Sequence, residues 1–272
     1  MIITNRTSHT WDTQVNAFVA LSEHSRSKFI AGGIPKSKIF VKTNFLDDIG
    51  EPRQTPSSSA SILFVGRLAT EKGVDVLLRA WSRIRARKLG RLLIIGDGPS
   101  RADLVRVAHS LGLSSDDVEF MGARPYEEVL GEIARARAIV LPSLCFENCP
   151  RTLLEAFCCG RPVIVSSLGA MDEMVRNGEI GLKFEPGNEN ALAEALSSIL
   201  SDPLLADRLG SNARREYFFR YTPEKNFEAL SRIYDFALGQ ARSLAMAPTA
   251  TWHSDLCQDV PAFDVAAGDV SR

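Results

Sequence analysis

Short apolar segments without polar alternation recur along the chain from residue 62, and each is followed by apolar residues at helical spacing. Strands that are apolar on both faces, separated by amphipathic helices, are typical of a parallel sheet covered by helices on both sides. We therefore predict an α/β fold with a Rossmann-like, doubly wound parallel sheet. The predicted strands are residues 62–66, 92–96, 118–122, 138–142, 162–166 and 181–184, and the predicted helices are 73–88, 104–111, 129–134, 150–159, 170–176 and 188–201.

The pattern differs on either side of this region. Upstream, Ser22 is placed to cap a helix over 23–31, and a strand is predicted at 39–42. A polar segment with two prolines and three successive serines, residues 47–61, is predicted to be a linker. Downstream, residues 204–238 are predicted to be helical with a break at a Thr-Pro pair, and the composition after them is typical of a disordered tail.

Composition and charge argue against some broad classes of protein. The chain has 272 residues, with 32 lysines and arginines against 33 aspartates and glutamates, for a net charge of −1. This balance argues against a globally basic nucleic-acid-binding protein. No apolar run approaches the roughly 20 residues of a membrane helix, and the first residues lack the apolar segment of a signal peptide. We therefore expect a cytoplasmic protein.

The five cysteines suggest either a metal site or buried thiols. Cys145 and Cys149 have a spacing that zinc ligands tolerate, but Cys158 and Cys159 are adjacent and no histidine lies nearby. The odd number, with Cys257 as the fifth, does not fit a secreted disulfide framework. We therefore expect reduced, buried thiols and no bound metal.

The first strand of the regular region ends in a turn that could bind a phosphate. Gly66 and Arg67 follow this strand, and Lys72 lies just before the next helix. A helix N-terminus favours an anion, and two cations can neutralise a diphosphate. The alternative is a surface arginine and lysine that happen to flank a turn, and spacing alone does not decide between the two.

A glycine-rich turn follows the second strand. Residues 96–99 (GDGP) begin like a dinucleotide-binding fingerprint, but Arg101 occupies the third glycine position and the strand is the second rather than the first. We therefore favour a tight turn that lets the next helix begin over a site for NAD.

Two glutamates eight positions apart follow the fourth strand. Glu147 lies in the predicted loop, and Glu155 lies in an apolar stretch of the next helix, which Pro150 is suited to begin. A carboxylate in such surroundings needs a partner or a ligand hydroxyl, so the two glutamates would suit a polyhydroxylated ligand beside a phosphate. The alternative is an internal ion pair between Glu155 and an arginine.

Taken in order, these motifs resemble the donor-binding half of glycosyltransferase family 4, which has the GT-B fold and lies within the group 1 glycosyl transferases. Two glutamates separated by seven residues are the most specific part of the resemblance, which covers about residues 60–200. It implies a retaining glycosyltransferase that needs no metal or cofactor and uses a UDP-, GDP- or ADP-sugar as donor. The matching segments are VGRLATEKG (65–73), IIGDGP (94–99), FMG (120–122), VLPSLCFENCPRTLLEAFCCGRPVI (140–164), SSLGAMDEMV (166–175) and GLKFEPGN (181–188).

The resemblance implies catalytic roles for three side chains. Arg67 and Lys72 look like the pair that holds the donor diphosphate and stabilises the leaving group. Glu147 resembles the glutamate that contacts the donor sugar and supports its developing positive charge. Arginine, lysine and a helix N-terminus can together take the electrostatic place of a divalent cation, which agrees with the metal independence of the family.

The resemblance also implies residues that bind the nucleotide. Glu155 resembles the glutamate that binds the ribose hydroxyls. The backbone amides of Thr152 and Leu153 would face the phosphates, and Gly66 would lie in the phosphate-binding turn. The motifs do not identify the base, the sugar or the acceptor.

The chain departs from the family upstream of the linker. A GT-B enzyme has two such domains with the reaction in the cleft between them, and a complete domain takes on the order of 150 residues. Residues 18–45 resemble only the last strand, helix and strand of the family's first domain, and neither His9 nor His24 matches its active-site histidine. We therefore expect a truncated or split enzyme whose C-terminal helices have little to dock on, and whose apolar surface favours a partner or self-association.

The expected organisation follows from this resemblance. It comprises a remnant of the acceptor domain (1–46), a linker (47–61), a nucleotide-sugar-binding domain (62–203), crossover helices (204–240) and a disordered tail (241–272).

Three functions are compatible with these features. The first is a glycosyltransferase in polysaccharide or glycoconjugate synthesis, with a saccharide or a lipid-linked acceptor; the latter would bring the protein to the membrane surface. The second is a non-catalytic module that binds nucleotide sugars, and the third is a sugar-nucleotide epimerase of the same fold. None of the three has a nucleic acid as partner.

Overall fold

The computed structural model of the protein describes residues 10–50, 54–85 and 88–246. Its strands are β1 (Phe18–Ala20), β2 (Ile39–Val41), β3 (Ser61–Val65), β4 (Arg91–Ile95), β5 (Val118–Gly122), β6 (Ala138–Leu141), β7 (Val163–Ser166) and β8 (Gly181–Phe184). Its α-helices are α1 (Thr10–Thr13), α2 (Glu23–Ala31), α3 (Val74–Ile84), α4 (Arg101–Ser110), α5 (Tyr126–Arg135), α6 (Arg151–Cys158), α7 (Gly169–Met174), α8 (Glu189–Ser201), α9 (Pro203–Arg220) and α10 (Pro223–Met246).

The predicted parallel sheet is confirmed. Six strands lie in the order β5-β4-β3-β6-β7-β8, and every neighbouring pair is parallel. The chain moves outward from β3 to β5, crosses back to β6 beside β3, and then moves outward in the other direction. The strand order therefore reverses between β3 and β6, and ligands of open parallel sheets bind outside the carboxyl ends of the strands at such a reversal.

Helices cover both faces of the sheet, which explains why its strands are apolar throughout. Along β3, Ile62 and Phe64 belong to a core cluster that also contains Trp81 of α3. Leu63, which points to the other face, belongs to a second cluster with Phe157 of α6. All these side chains are buried, so each face of the sheet has its own apolar layer.

The regions outside the sheet follow the predicted elements with shifted ends. Ser22 caps α2, since its hydroxyl accepts a hydrogen bond from the Ser25 amide at 3.1 Å. The break between α9 and α10 lies at the Thr-Pro pair, as predicted. Helix α10 continues to Met246, past residue 241 where we place the start of the tail, and residues 247–272 lie outside the described residues.

The C-terminal helix has a docking surface, contrary to our expectation. The residues before the predicted linker, 10–46, which we call the N-terminal segment, include a parallel pair of strands, β1 and β2. Helix α10 packs against this pair. The rings of Phe40 and Phe236 meet edge to face with centroids 4.8 Å apart. The Asn226 side chain donates to the Thr43 carbonyl at 2.8 Å, and the Asn16 side chain donates to a carbonyl further along α10 at 3.2 Å.

Two buried arginines hold the predicted linker against the six-stranded sheet and its covering helices, which we call the sheet domain. Arg137 donates to the backbone carbonyls of Ser57 and Ser59, and Arg161 donates to that of Gln54. These cations use neutral carbonyl groups as partners, so burial lowers the pKa of both guanidinium groups. Composition alone identifies a polar segment but not these contacts, because the partners lie 78 to 107 positions away along the chain.

Among the described residues, no helix combines the length and the hydropathy that a membrane-spanning segment requires.

Close packing of α9 on the turn after α6 predicts an effect of a single methyl group. A Cβ on Gly210 would lie 2.3 Å from the Gly160 carbonyl oxygen, so we expect Gly210→Ala to lower the free energy of unfolding by about 1–3 kcal/mol. Gly239 on α10 has nothing within 4 Å of its Cβ position, so the matched Gly239→Ala should raise it by about 0.5–1 kcal/mol. Urea unfolding measures both, and equal effects would contradict the packing argument.

Candidate functional site

The loops that follow β3 and β6 touch where the strand order reverses. Gly73 has a left-handed backbone (φ 66°), and a Cβ there would lie 2.0 Å from the Pro142 carbonyl oxygen. The Leu144 amide donates to the Glu71 carbonyl at 2.8 Å. Only glycine permits this approach, and the approach brings the motif around Lys72 against the loop that carries Glu147.

A short ion pair joins the two loops. Lys72 Nζ lies 2.6 Å from Glu147 Oε1, and the Ser143 hydroxyl donates to the same oxygen at 2.9 Å. Both members of the pair are mostly shielded from solvent. Two residues 75 positions apart in the sequence thus place a cation and a carboxylate together at the strand ends.

The turn over 96–99 packs on the turn after β3. A Cβ on Gly96 would lie 1.9 Å from the Gly66 carbonyl oxygen, and one on Gly98 would lie 2.4 Å from that of Leu68. The Leu68 amide donates to the Asp97 carbonyl at 2.9 Å. These glycines serve backbone packing, which confirms the tight turn that we favour at this position.

Arg67 lies apart from the Lys72–Glu147 pair. Its guanidinium bonds Glu71 at 2.6 Å, four residues along the same loop, and its side chain is 65% exposed. Such an exposed pair is weak, so Arg67 can leave Glu71 for a stronger anion at little cost. The structure brings together Lys72 and Glu147 of the predicted residues, and leaves Arg67 on the solvent side.

Glu155 is a buried carboxylate with incomplete pairing. Its side chain is 7% exposed, and the nearest arginine, Arg151, lies 4.0 Å away through Nε, too far for a hydrogen bond. Burial raises the pKa of Glu155, while Arg151 and the Tyr126 hydroxyl oppose the rise. The internal arginine pair that we consider as an alternative is therefore present only as a long contact.

The two predicted amides at the start of α6 differ. The Leu153 amide donates to the Pro150 carbonyl at 3.1 Å, so it is already engaged. Thr152, one residue earlier, has no backbone acceptor of this kind among the described residues. Of the two, the Thr152 amide is the one that a ligand could bind without breaking a hydrogen bond.

Sequence reasoning missed several residues of the site. Tyr126 begins the helix after β5, and its ring lies 5.9 Å from the guanidinium carbon of Arg151. Ser143 fixes one oxygen of Glu147. Both follow strand ends, which is the signal that could have selected them. Phe146 and Asn148 lie in the same loop as Ser143, but nothing in the local sequence indicates that they contact the N-terminal segment.

Three of the four described cysteines are buried as predicted, and Cys145 is not. Cys149, Cys158 and Cys159 are buried and free, Cys145 is partly exposed, and Cys257 lies outside the described residues. Burial raises the pKa of all four described thiols. Within the described part of the chain, no group of three or more histidine, cysteine, aspartate or glutamate side chains is arranged to hold a metal ion.

Comparison with protein families identifies the sheet domain. The model of the family described as "Glycosyl transferases group 1" matches residues 47–216. Among curated proteins, glycogen synthase of Mycobacterium tuberculosis H37Rv is 32% identical over 202 residues, which cover 73% of this chain and 48% of that protein. The chain spans about half the length of the curated relatives it matches.

Solved structures share the fold. A mutant of Staphylococcus aureus TarM, in complex with fondaparinux, alpha-GlcNAc-glycerol and UDP, has a TM-score of 0.74 at 18% identity, over 83% of this chain and 45% of that one. Anabaena Alr3699/HepE in complex with UDP has a TM-score of 0.69 at 21% identity, over 85% of this chain and 64% of that one. At these identities the likeness concerns the fold.

The buried Glu155 carboxylate predicts a pH dependence of stability. Because its pKa is raised in the folded state, the folded chain holds this proton more tightly than the unfolded chain does. Its contribution to stability therefore falls as pH rises from the ordinary carboxyl range through the raised value. We expect Glu155→Gln to remove this loss and to be more stable than wild type at neutral pH.

Urea unfolding from about pH 5 to about pH 8 measures this dependence. The exposed Glu127→Gln is the matched control and should leave the wild-type pH profile unchanged. A Glu155→Gln profile parallel to that of wild type would show that the carboxylate is not destabilised by burial.

Proposed function

The chain belongs to the glycosyl transferases group 1 family, and on this premise we propose that it binds a nucleotide-sugar donor where β3 and β6 end. In this proposal it transfers the sugar, with retention and without a metal, to a saccharide or a lipid-linked acceptor. The observation that carries the proposal is the 2.6 Å contact between Lys72 and Glu147 across the reversal of strand order. It supplies a cation for a diphosphate and a carboxylate for a sugar at one point.

Donor binding exchanges the partners of the cations. A nucleoside diphosphate carries more negative charge than one carboxylate, so Lys72 turns from Glu147 to the phosphate oxygens. Arg67 leaves the exposed Glu71 and becomes the second cation. Both then stabilise the charge that grows on the leaving diphosphate as the glycosidic bond breaks, which is the work a divalent cation would otherwise do.

Glu147 is then free to act on the sugar. One of its oxygens keeps the hydrogen bond from Ser143, which fixes the carboxylate while Lys72 moves away. A fixed carboxylate accepts hydrogen bonds from sugar hydroxyls and stabilises the positive charge that develops at the anomeric carbon. Its charge is most useful in the transition state, when Lys72 is on the diphosphate.

Glu155 and the start of α6 bind the nucleoside part. The partners of the buried Glu155 carboxylate are the Tyr126 hydroxyl and a long contact to Arg151. A carboxylate has about four acceptor positions, so the two ribose hydroxyls can donate to those that these partners leave open. The Thr152 amide and the backbone at Gly66 face the phosphates in this arrangement, where the helix N-terminus favours negative charge. This assignment accounts for a carboxylate that the fold keeps buried at a cost in stability.

The role of Lys72 can be tested by binding alone. We expect Lys72→Met to weaken the affinity for UDP by roughly 10-fold to 100-fold, because a hydrogen bond to a charged group contributes about 1.5–3 kcal/mol. Isothermal titration calorimetry with UDP measures this change. Lys225→Met removes a lysine from an exposed ion pair on α10 and should bind UDP like wild type. Equal affinities of wild type and Lys72→Met would remove Lys72 from the site.

The donor base can be identified by thermal unfolding with UDP, GDP, ADP and TDP. A nucleotide at about one hundred times its dissociation constant stabilises the folded state by roughly 2.7 kcal/mol. We expect one nucleotide to raise the melting temperature of wild type and of Glu127→Ala, but not that of Glu155→Ala. UDP is the first probe, since two structural neighbours carry it.

Failure of all four nucleotides to stabilise the wild type would contradict the proposed donor site. If one nucleotide does stabilise the wild type, turnover of the matching nucleotide sugar separates a transferase from a module that only binds. Release of an epimerised sugar without any acceptor would instead indicate an epimerase.

A further inference from the structure

The residues that flank Glu147 are held by the N-terminal segment, whereas Glu147 itself is bonded within the sheet domain. Lys72 and Ser143 bond its carboxylate. Phe146 on one side and Asn148 on the other contact helix α2. The loop over 142–150 thus lies between two parts of the chain that are far apart in sequence.

The ring of Phe146 is held by two side chains of α2. His24 stacks on it with ring centroids 4.6 Å apart and planes 34° from parallel, and Lys28 Nζ lies 5.4 Å from its centroid. Gly169 lies beneath both rings, since a Cβ there would be 3.0 Å from Phe146 and 3.5 Å from His24. A glycine with a left-handed backbone (φ 58°) therefore makes room for this stack.

Two hydrogen bonds hold the other side of the loop. The buried Ser25 hydroxyl donates to Asn148 Oδ1 at 3.2 Å and is itself bonded by Ser22 at 3.0 Å. The Asn44 side chain donates to the Cys149 carbonyl at 3.0 Å. Positions 146, 148 and 149 are therefore each fixed by a residue of the N-terminal segment.

Helix α2 is in turn fixed to the sheet domain. The Glu173 carboxylate of α7 accepts hydrogen bonds from the amides of Glu23 and His24, both at 3.0 Å. A carboxylate at the first turn of a helix satisfies free amides and interacts favourably with the helix dipole. The contacts to the loop thus come from a helix whose own position is determined.

We propose that α2 together with Asn44, which we call the N-terminal clamp, positions Glu147 for the transfer step. His24, Ser25 and Asn44 are positioning residues in this proposal, which rests on the proposed function for its catalytic consequence. The Nε2 atom of His24 is buried and has no hydrogen-bond partner within the described residues. His24 therefore acts through contact of its ring, and another aromatic ring can replace it.

The N-terminal clamp should affect the rate because catalysis requires Glu147 to be held in a precise position. Reacting groups must be held near their productive geometry, and a displacement of about 1 Å can cost on the order of 100-fold in rate. The loop lies outside regular secondary structure, so it has no regular pattern of backbone hydrogen bonds to hold it in place. Release of the clamp should lower kcat while the nucleotide contacts of Lys72 and Glu155 remain.

The first measurement is hydrogen exchange at the Leu144 amide by NMR on the full chain, which needs neither ligand nor activity. His24→Ala and Asn44→Ala should speed this exchange by roughly fivefold to tenfold, the factor for one lost hydrogen bond or packing contact. His24→Phe should restore the wild-type rate. Phe29→Ala, which removes an exposed ring from α2, and Asn212→Ala, which removes one asparagine-to-carbonyl bond elsewhere, should leave it unchanged.

The second measurement is turnover of UDP-glucose, with unfolding midpoints recorded for every variant. His24→Ala and Asn44→Ala should lower kcat at least tenfold with KM within about twofold, and His24→Phe should keep wild-type kcat. Unchanged exchange at Leu144 in both alanine variants would overturn the clamp. His24→Phe as impaired as His24→Ala would also overturn it, because the imidazole nitrogens would then be required.

The two proposals fail in different ways. A wild-type chain that neither binds UDP nor turns over UDP-glucose overturns the proposed function with this donor, whereas the exchange rates at Leu144 still decide whether the clamp holds the loop.

Discussion

The candidate site depends on one close approach of two backbones. Gly73 passes the Pro142 carbonyl so closely that a Cβ would lie 2.0 Å from the oxygen. Because the strand order reverses between β3 and β6, the two loops in contact come from the two halves of the sheet. Lys72 and Glu147 meet only because this contact holds their loops together, and the glycine turn over 96–99 packs against the first of them.

Charges at this edge of the sheet balance one another within the chain. Lys72 is matched by Glu147 and Arg67 by Glu71, while Glu155 is buried with a long contact to Arg151. Lys72 and Arg67 can exchange these carboxylates for a bound polyanion, because a diphosphate carries more negative charge than one carboxylate. The raised pKa of Glu155 shows that the fold accepts a destabilised carboxylate there, which is typical of functional sites.

The N-terminal segment is integrated with the sheet domain on two sides. On one side, α2 bonds the Glu173 carboxylate and contacts the loop around Glu147. On the other side, Phe40 of β2 packs against α10. Although the chain spans about half the length of the curated relatives it matches, these contacts make residues 18–46 part of the surroundings of the site. They also give α10 the docking surface that the sequence did not predict.

Apolar periodicity in the sequence determined the parallel sheet, its strands and the helices between them, because burial on both faces leaves a local pattern. The order of motifs determined the family, and the rule for strand ends selected Lys72, Glu147 and Glu155 as neighbours of one edge. Only the tertiary structure decided that Lys72 pairs with Glu147, that Arg67 does not, and that His24, Ser25 and Asn44 reach the loop. Those contacts join residues 75 to 123 positions apart, and local sequence carries no record of which distant side chain will lie opposite.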